Sequence, residues 1–280
     1  MEPKSNRREP ILPHEIRLAG KLNAIRDESA GTPPKVSILI ATFNSAATLE
    51  KCLDSIVEQT YPNLELIVMD GGSTDGTQTI LERYDKHIVY WESKPDKGVY
   101  HAWNKALDRF TGDWFCFIGS DDYFCGPRAL ETAMAREGIE SLDLIIGVMH
   151  YVDSSGKVTK VMGRPWDWVR LKRFHNILHS GLLHNRSLYM KHGKFSEDYR
   201  IAGDYEYLLR FGPRISSSFI REPLVSMGNQ GMSRSQVGRV LRETYAIQKR
   251  HSEIGPAKAW INYIVAYAKH GVRSLLGMKY

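Results

Sequence analysis

Residues 63–84 read NLELIVMDGGSTDGTQTILERY. The aliphatic run 63–70 is short and ends in an acid, which reads as a buried strand. DGTQTILERY (75–84) reads as a helix. Between them the glycines permit a tight turn with positive φ, and Ser73, Thr74 or Asp75 can cap the helix N-terminus. Repetition of this unit decides the fold. Upstream, KVSILIAT (35–42) predicts a strand. SAATLEKCLDSIVEQT (45–60) predicts a helix with Leu49, Leu53, Ile56 and Val57 at helical spacing, Ser45 as its N-cap and Pro62 as its stop. Downstream follow KHIVYWES (86–93) as strand, GVYHAWNKALDRF (98–110) as helix and DWFCFIGS (113–120) as a fourth strand. Alternating strands and helices with short connections imply an α/β protein with a parallel, twisted sheet. In such sheets ligands bind at the carboxyl ends of the strands, where the polar clusters Thr42–Asn44, Asp70–Asp75, Asp96–Gly98 and Gly119–Asp122 fall.

After residue 125 the pattern loosens. ALETAMAREG (129–138) reads as helical, LDLIIGVMHYVD and GKVTKVMG as a hairpin pair, and DYEYLLRFG (204–212) as a helix start. The chain has 280 residues, 42 % of them apolar, so a sizeable core is available. Its three cysteines show no CxxC spacing, and Cys52 and Cys116 fall on apolar positions, which argues for a reducing compartment. The start, MEPKSNRREP, lacks the apolar stretch of a signal peptide, and no run is long enough to cross a membrane, so a cytoplasmic location is expected. The net charge of +6 is concentrated between Lys157 and Lys194, where only Asp167 opposes the basic residues; this stretch could face phosphates or simply water. AKAWINYIVAYAKHGVRSLLG (257–277) collects Trp260, Ile261, Ile264, Val265 and Val272 on one side of a helix. It suits an anionic membrane surface, or equally packing against the main domain or a second subunit.

Four clusters carry chemistry. Asp70, expected exposed at its strand end, can accept hydrogen bonds from a ribose hydroxyl or a base N–H. ATFNSAAT after the first strand lacks the glycines of a dinucleotide fingerprint, which argues against NAD or FAD. KPDKGVYHAWNKAL (94–107) sets Gly98 before a helix whose N-terminal amides favour an anion such as a diphosphate, although Asp96 could be only a cap. Asp121 and Asp122 end the fourth strand side by side and repel unless a cation or hydrogen-bond donors offset them, as a hard divalent ion would. His175, His179 and His184 match no HExxH spacing and have no cysteine beside them, which disfavours zinc.

Taken in order, TFN, MDGGSTDGT, PDKGVYHAWNKAL and GSDD, each behind a strand, resemble the family 2 glycosyltransferases of the GT-A fold, most like enzymes that build bacterial exopolysaccharides such as colanic acid or O-antigen. The resemblance is close over 35–125 and looser to about 235. It implies a GT-A domain over 35–235, with a nucleotide-binding half (35–125) and an acceptor half (126–235). An N-terminal extension (1–34) and a C-terminal amphipathic helical segment (236–280) would flank it. By resemblance, Thr42 and Asn44 line the nucleoside pocket, Asp70 reads base or ribose, and Asp96 and Gly98 lie near the diphosphate. Asp121 belongs to the metal-binding DxD motif with Asp122 beside it, and His179 lies near sugar or acceptor. Asp204, in FSEDYRIAGDYEYLLR (195–210), aligns with the catalytic base; read without the resemblance, it could be a helix N-cap.

The sequence departs from the family at Gly119, where an acidic residue is usual, and at Trp103, where arginine is frequent. GNQGMSR (228–234) offers a loop over the diphosphate, with Arg234 as a contact. The activity so implied is inverting transfer from a nucleotide-diphosphate sugar, with Mg²⁺ or Mn²⁺, to a glycan or lipid-linked acceptor. Peripheral membrane contact would run through 257–276, and no nucleic acid is involved. The rivals are a sugar nucleotidyltransferase, for which the glycine-rich loop is lacking, and a non-catalytic nucleotide-sugar-binding protein, for which Gly119 speaks.

Overall fold

The computed structural model describes residues 5–7, 32–228 and 236–275. The amphipathic helix expected around Ile16, Leu22 and Ile25, and Arg234, lie outside the described residues. The chain runs β1 (Ser5–Arg7), β2 (Val36–Thr42), α1 (Leu49–Val57), β3 (Leu64–Asp70), α2 (Thr77–Tyr84), β4 (Tyr90–Ser93), α3 (Val99–Leu107), β5 (Trp114–Gly119), β6 (Tyr123–Phe124) and α4 (Ala129–Met134). There follow β7 (Leu144–Val152), β8 (Val158–Met162), α5 (Trp168–Leu171), β9 (Leu183–Asn185), α6 (Arg186–His192), α7 (Gly203–Leu209), β10 (Ser217–Met227), α8 (Val237–Arg250) and α9 (Gly255–Leu275).

One mixed sheet has the order β1-β4-β3-β2-β5-β9-β7-β10-β6, with β8 hairpinned onto β7. Its nucleus is the parallel set β4-β3-β2-β5, in register from Val36 opposite Leu64 and Trp114 to Thr42 opposite Asp70. Strand alternation divides the apolar side chains between two layers. Val36, Ile38, Ile40, Trp114, Cys116 and Ile118 pack against α1, α2 and α4. Leu39, Ile67, Phe115 and Phe117 pack on the other face, against α3 and the helices from α5 onward. Ile247 of α8 and Ala259 of α9 are buried in that second layer, so the C-terminal helices share the domain's core.

Two local expectations are corrected. Ser45 is not the cap of α1: the N-cap position is Thr48, and the Ser45 carbonyl instead accepts the Thr48 and Leu49 amides in the turn before it. The helix ends at Val57, ahead of Pro62, where the backbone turns toward β3. The basic stretch after Lys157 is partly structural, since Lys172 pairs with Glu253 and Lys194 with Asp108, and the Arg186 guanidinium donates to the Thr111 carbonyl.

Candidate active site

The carboxyl ends of β2, β3, β4 and β5 form one edge. Asp70, the last residue of β3, is fully buried there, contrary to the exposed position expected for it. Its Oδ2 accepts the Ser73 amide (2.9 Å), the Gly72 amide (3.2 Å) and the Ser93 hydroxyl (2.5 Å), and its Oδ1 accepts the Ser73 hydroxyl. Asp70 therefore shapes the loop that follows it. Asn44, at φ 47°, does the same from the β2 side: Oδ1 accepts the Thr74 amide at 3.0 Å, and its own amide donates to Ser73 Oγ at 2.7 Å. Thr42 is buried, its hydroxyl without a hydrogen-bond partner among the described residues. Between them Phe43 stands 62 % exposed, and a Cβ on Gly71 would lie 3.2 Å from its ring and 2.8 Å from Asp96 Oδ2. Sequence reasoning passed over Phe43; an aromatic between two polar pocket residues was the available signal.

Asp96 is not a helix cap. The N-cap of α3 is Gly98, whose amide donates to Asp96 Oδ1 at 2.7 Å, so this first amide already has a protein partner. Gly98 has φ 123°, and a Cβ there would lie 2.7 Å from the Arg200 guanidinium, so only glycine fits.

Gly119 ends β5, and its role follows from what surrounds it. A Cβ on Gly119 would lie 2.7 Å from Asp122 Oδ2 and 3.0 Å from Asp121 Oδ1. Both carboxylates converge on the space a third acidic side chain would take. Asp122 is buried, accepts the Gly228 amide at 3.3 Å, and donates its own amide to the Gly119 carbonyl. Burial, then the Asp121 charge, raise the Asp122 carboxyl well above the usual range, only partly offset by Ser180 and the Gly228 amide. Burial raises Asp121 as well.

Asp204 lies in the first turn of α7, whose N-cap position is Ala202, so Asp204 is not the cap. Its Oδ1 accepts the Tyr205 amide (2.8 Å) and stands 3.3 Å from the Tyr100 hydroxyl; His175 Nε2 is 3.7 Å from Oδ2. Gly203 permits this approach, since a Cβ there would fall 2.7 Å from the Tyr100 ring. His175, weighed in the sequence only as a metal ligand, thus belongs beside Asp204. From Tyr100 a line of contacts runs back to the carboxylate pair. The Tyr100 ring meets Trp103 edge-on (5.5 Å), Trp103 stacks on His179 (5.3 Å, 25°), and the next residue, Ser180, lies beside Asp122, though its hydroxyl makes no hydrogen bond among the described residues. His179 is buried, with neither ring nitrogen partnered among the described residues. Burial, then His184 and His175, hold it neutral, its pKa well below the usual value. Trp103 therefore fills with an aromatic stack the place where arginine was anticipated. His184 is a core residue, its ring 5.0 Å from Phe115 and nearly coplanar.

The carboxylate pair suits a divalent cation. Two oxygens converge, both groups are held toward protonation, and no ion pair among the described residues engages either. Among the described residues no third His, Cys, Asp or Glu completes a cluster, so substrate oxygens and water would supply the remaining ligands. The raised values fix a sign. The folded protein retains protons that the unfolded chain has released, so this stabilising term is complete at acid pH and is lost as pH rises through the folded values. A cation competes with those protons. Mn²⁺ is therefore expected to raise the melting temperature clearly at about pH 8 and little at about pH 5. An equal rise at both pH values in thermal denaturation counts against the site.

The model of the family described as "Glycosyl transferase family 2" matches residues 37–199. A "PGL/p-HBAD biosynthesis glycosyltransferase" of Mycobacterium bovis is 34 % identical over 183 residues, covering 63 % of this chain and 69 % of the relative. Among solved structures, the mannosyltransferase PcManGT of Pyrobaculum calidifontis, in complex with GDP-Man and Mn²⁺, superposes with TM-score 0.57 at 23 % identity, covering 84 % of this chain and 70 % of that one. S. aureus TarS 1–349 in complex with UDP-GlcNAc gives 0.59 at 18 %, covering 86 % and 74 %. The chain spans 41 % of the longer TarS chain.

Proposed function

Since the chain belongs to glycosyl transferase family 2 and is a glycosyltransferase, we propose that it moves a sugar, with inversion, from a nucleotide diphosphate to a lipid-linked glycan in bacterial polysaccharide or glycolipid assembly. The observation that carries this reading is the run of contacts from His179 through Trp103 and Tyr100 to Asp204, with His179 one residue before Ser180, which lies beside Asp122. This stacked floor lies between the carboxylate pair and the base that we assign.

In this mechanism the nucleoside lies along Thr42–Asn44 and the loop organised by Asp70, with the Phe43 ring available to stack on the base, and the diphosphate reaches Asp96 and Gly98. Asp121 and Asp122 would hold a divalent metal, Mg²⁺ or Mn²⁺, which would offset charge gathering on the diphosphate. Neutral His179 offers a hydrogen bond to the sugar. Asp204 takes the proton of the acceptor hydroxyl as that oxygen bonds the anomeric carbon; the bond to the phosphate oxygen breaks, and its electron pair leaves with the nucleoside diphosphate. Asp204 is partly exposed, with Oδ2 3.7 Å from His175 Nε2, and in this reading the incoming hydroxyl meets it beside His175.

Incubation with UDP-, GDP- and dTDP-sugars plus Mn²⁺, with and without a lipid-diphosphate acceptor, tests the reading through released nucleotide. Acceptor-stimulated release is the expected result. Tight binding of one donor without release would make the protein a nucleotide-sugar-binding module instead.

The lipid acceptor draws support from α9. No described helix is long and apolar enough to cross a membrane, yet α9 exposes Trp260, Ile261, Ile264, Val265 and Val272, with Lys258 and Lys269 beside them. Lys269 also lies over the Phe174 ring, next to His175. That arrangement suits an anionic leaflet at the inner face of the cell membrane. Flotation with phosphatidylglycerol vesicles is expected to carry the wild type and to lose the Ile261→Ser, Ile264→Ser, Val265→Ser triple variant. Equal flotation of both removes the membrane contact.

A further inference from the structure

The turn that leads into Asp204 is held by a residue far away in sequence. Glu243, in the second turn of α8, accepts the backbone amides of three consecutive residues: Arg200 (3.1 Å to Oε1), Ile201 (2.9 Å to Oε2) and Ala202 (2.9 Å to Oε2). On its other side the same turn is fixed to the start of α3. The Arg200 guanidinium donates to the Lys97 carbonyl, and the Tyr100 hydroxyl donates to the Ile201 carbonyl at 2.5 Å. The amides of the turn that runs into α7, up to that of its N-cap residue Ala202, thus find their acceptor in a carboxylate of α8. Charge-assisted bonds of this kind are the stronger class and fix direction as well as distance. Asp204 follows two residues after the last of these amides, on a short helix whose orientation they define.

We propose that Glu243 is a positioning residue for glycosyl transfer: its carboxylate locks the 200–202 turn and so sets where Asp204 meets the acceptor hydroxyl. The proposal rests on Asp204 being the base. It makes α8 part of the catalytic apparatus and joins the helix pair that carries the exposed face of α9 to the proton-accepting group. A purely structural staple would weaken folding without acting through Asp204, and the two roles separate in experiment.

Hydrogen–deuterium exchange reads the turn directly, without any substrate. Glu243→Ala is expected to speed exchange at the amides of 200–202, and Glu243→Gln, which keeps one acceptor oxygen and the packing, to restore most of the protection. Unchanged exchange in both variants overturns the proposal. Turnover is read with whichever UDP-, GDP- or dTDP-sugar gives the fastest nucleotide release. There Glu243→Ala is expected to lower kcat roughly 10–100-fold, with donor KM held within about threefold, because a misplacement of about 1 Å suffices for such a loss. In an Asp204→Asn background the same substitution is expected to cost less than about twofold, since its effect passes through the group already removed. A full additional loss in that background, or a KM increase matching the kcat loss, overturns the proposal. If Asp204→Asn alone keeps wild-type kcat, the base assignment fails, and with it Glu243's catalytic role; the exchange data then still report whether Glu243 holds the turn.

Discussion

Asp204→Asn is expected to lower transfer by roughly 10²–10⁴-fold, the range that general-base removal covers. The replacement is isosteric. Asparagine Oδ1 still accepts the Tyr205 amide and still faces the Tyr100 hydroxyl, so the helix start keeps its local bonds. The loss is confined to charge and proton affinity: the amide cannot accept the hydroxyl proton, and His175 loses its acidic neighbour. Donor affinity, measured by calorimetry with UDP or GDP and Mn²⁺, is expected to change little, because the carboxylate pair that follows β5 is untouched. Single-turnover transfer separates this outcome from its alternative. A variant with transfer within a few-fold of wild type would place the base elsewhere.

Gly119→Ala is the second large effect, and it comes from a single methyl group. Its carbon would sit 2.7 Å from Asp122 Oδ2 and 3.0 Å from Asp121 Oδ1, closer than either contact tolerates. Asp122 cannot withdraw freely, being buried and bonded to the Gly228 amide. The carboxylates must separate, and Mn²⁺-stimulated release is expected to fall by roughly 10–100-fold, the cost of misplacing catalytic groups by about an ångström. Gly119→Asp should fare no better, although it supplies the acid that the family resemblance leads one to expect, because its Cβ meets the same oxygens. Recovery of wild-type activity in Gly119→Asp would show that the pair has slack the present geometry does not indicate. The chelator control belongs here too: wild-type turnover is expected to stop with EDTA and return with Mn²⁺.

The parallel half of the sheet was legible because its information is local. Runs such as VSILIAT and LELIVMD announce buried strands, and acids and asparagine at their ends mark the ligand edge. The grouping of Asp121 with Asp122 needed only adjacency in sequence. What sequence reasoning missed depends on distant partners. Asp70 sits at a strand end like the other site acids, and only Ser73 and Ser93 folding over it make it buried. The second half of the sheet interleaves β9 between β5 and β7 and sets β10 parallel to β7, pairings that no short-range pattern encodes. Glu243 carries no signal in the sequence, because its partners are three amides more than forty positions away.

The junction at Arg200–Asp204 also bears on how such enzymes can be recombined. Three stretches meet there: Lys97–Tyr100 from the donor side, the turn itself, and α8. A crossover placed just after residue 199, where the family match ends, would join a native Tyr100 to a foreign turn and a foreign clamp. A hybrid that keeps this junction intact inherits 97–100, 200–204 and 237–250 from one parent; exchanging the C-terminal helices alone would leave the turn before Asp204 without its carboxylate.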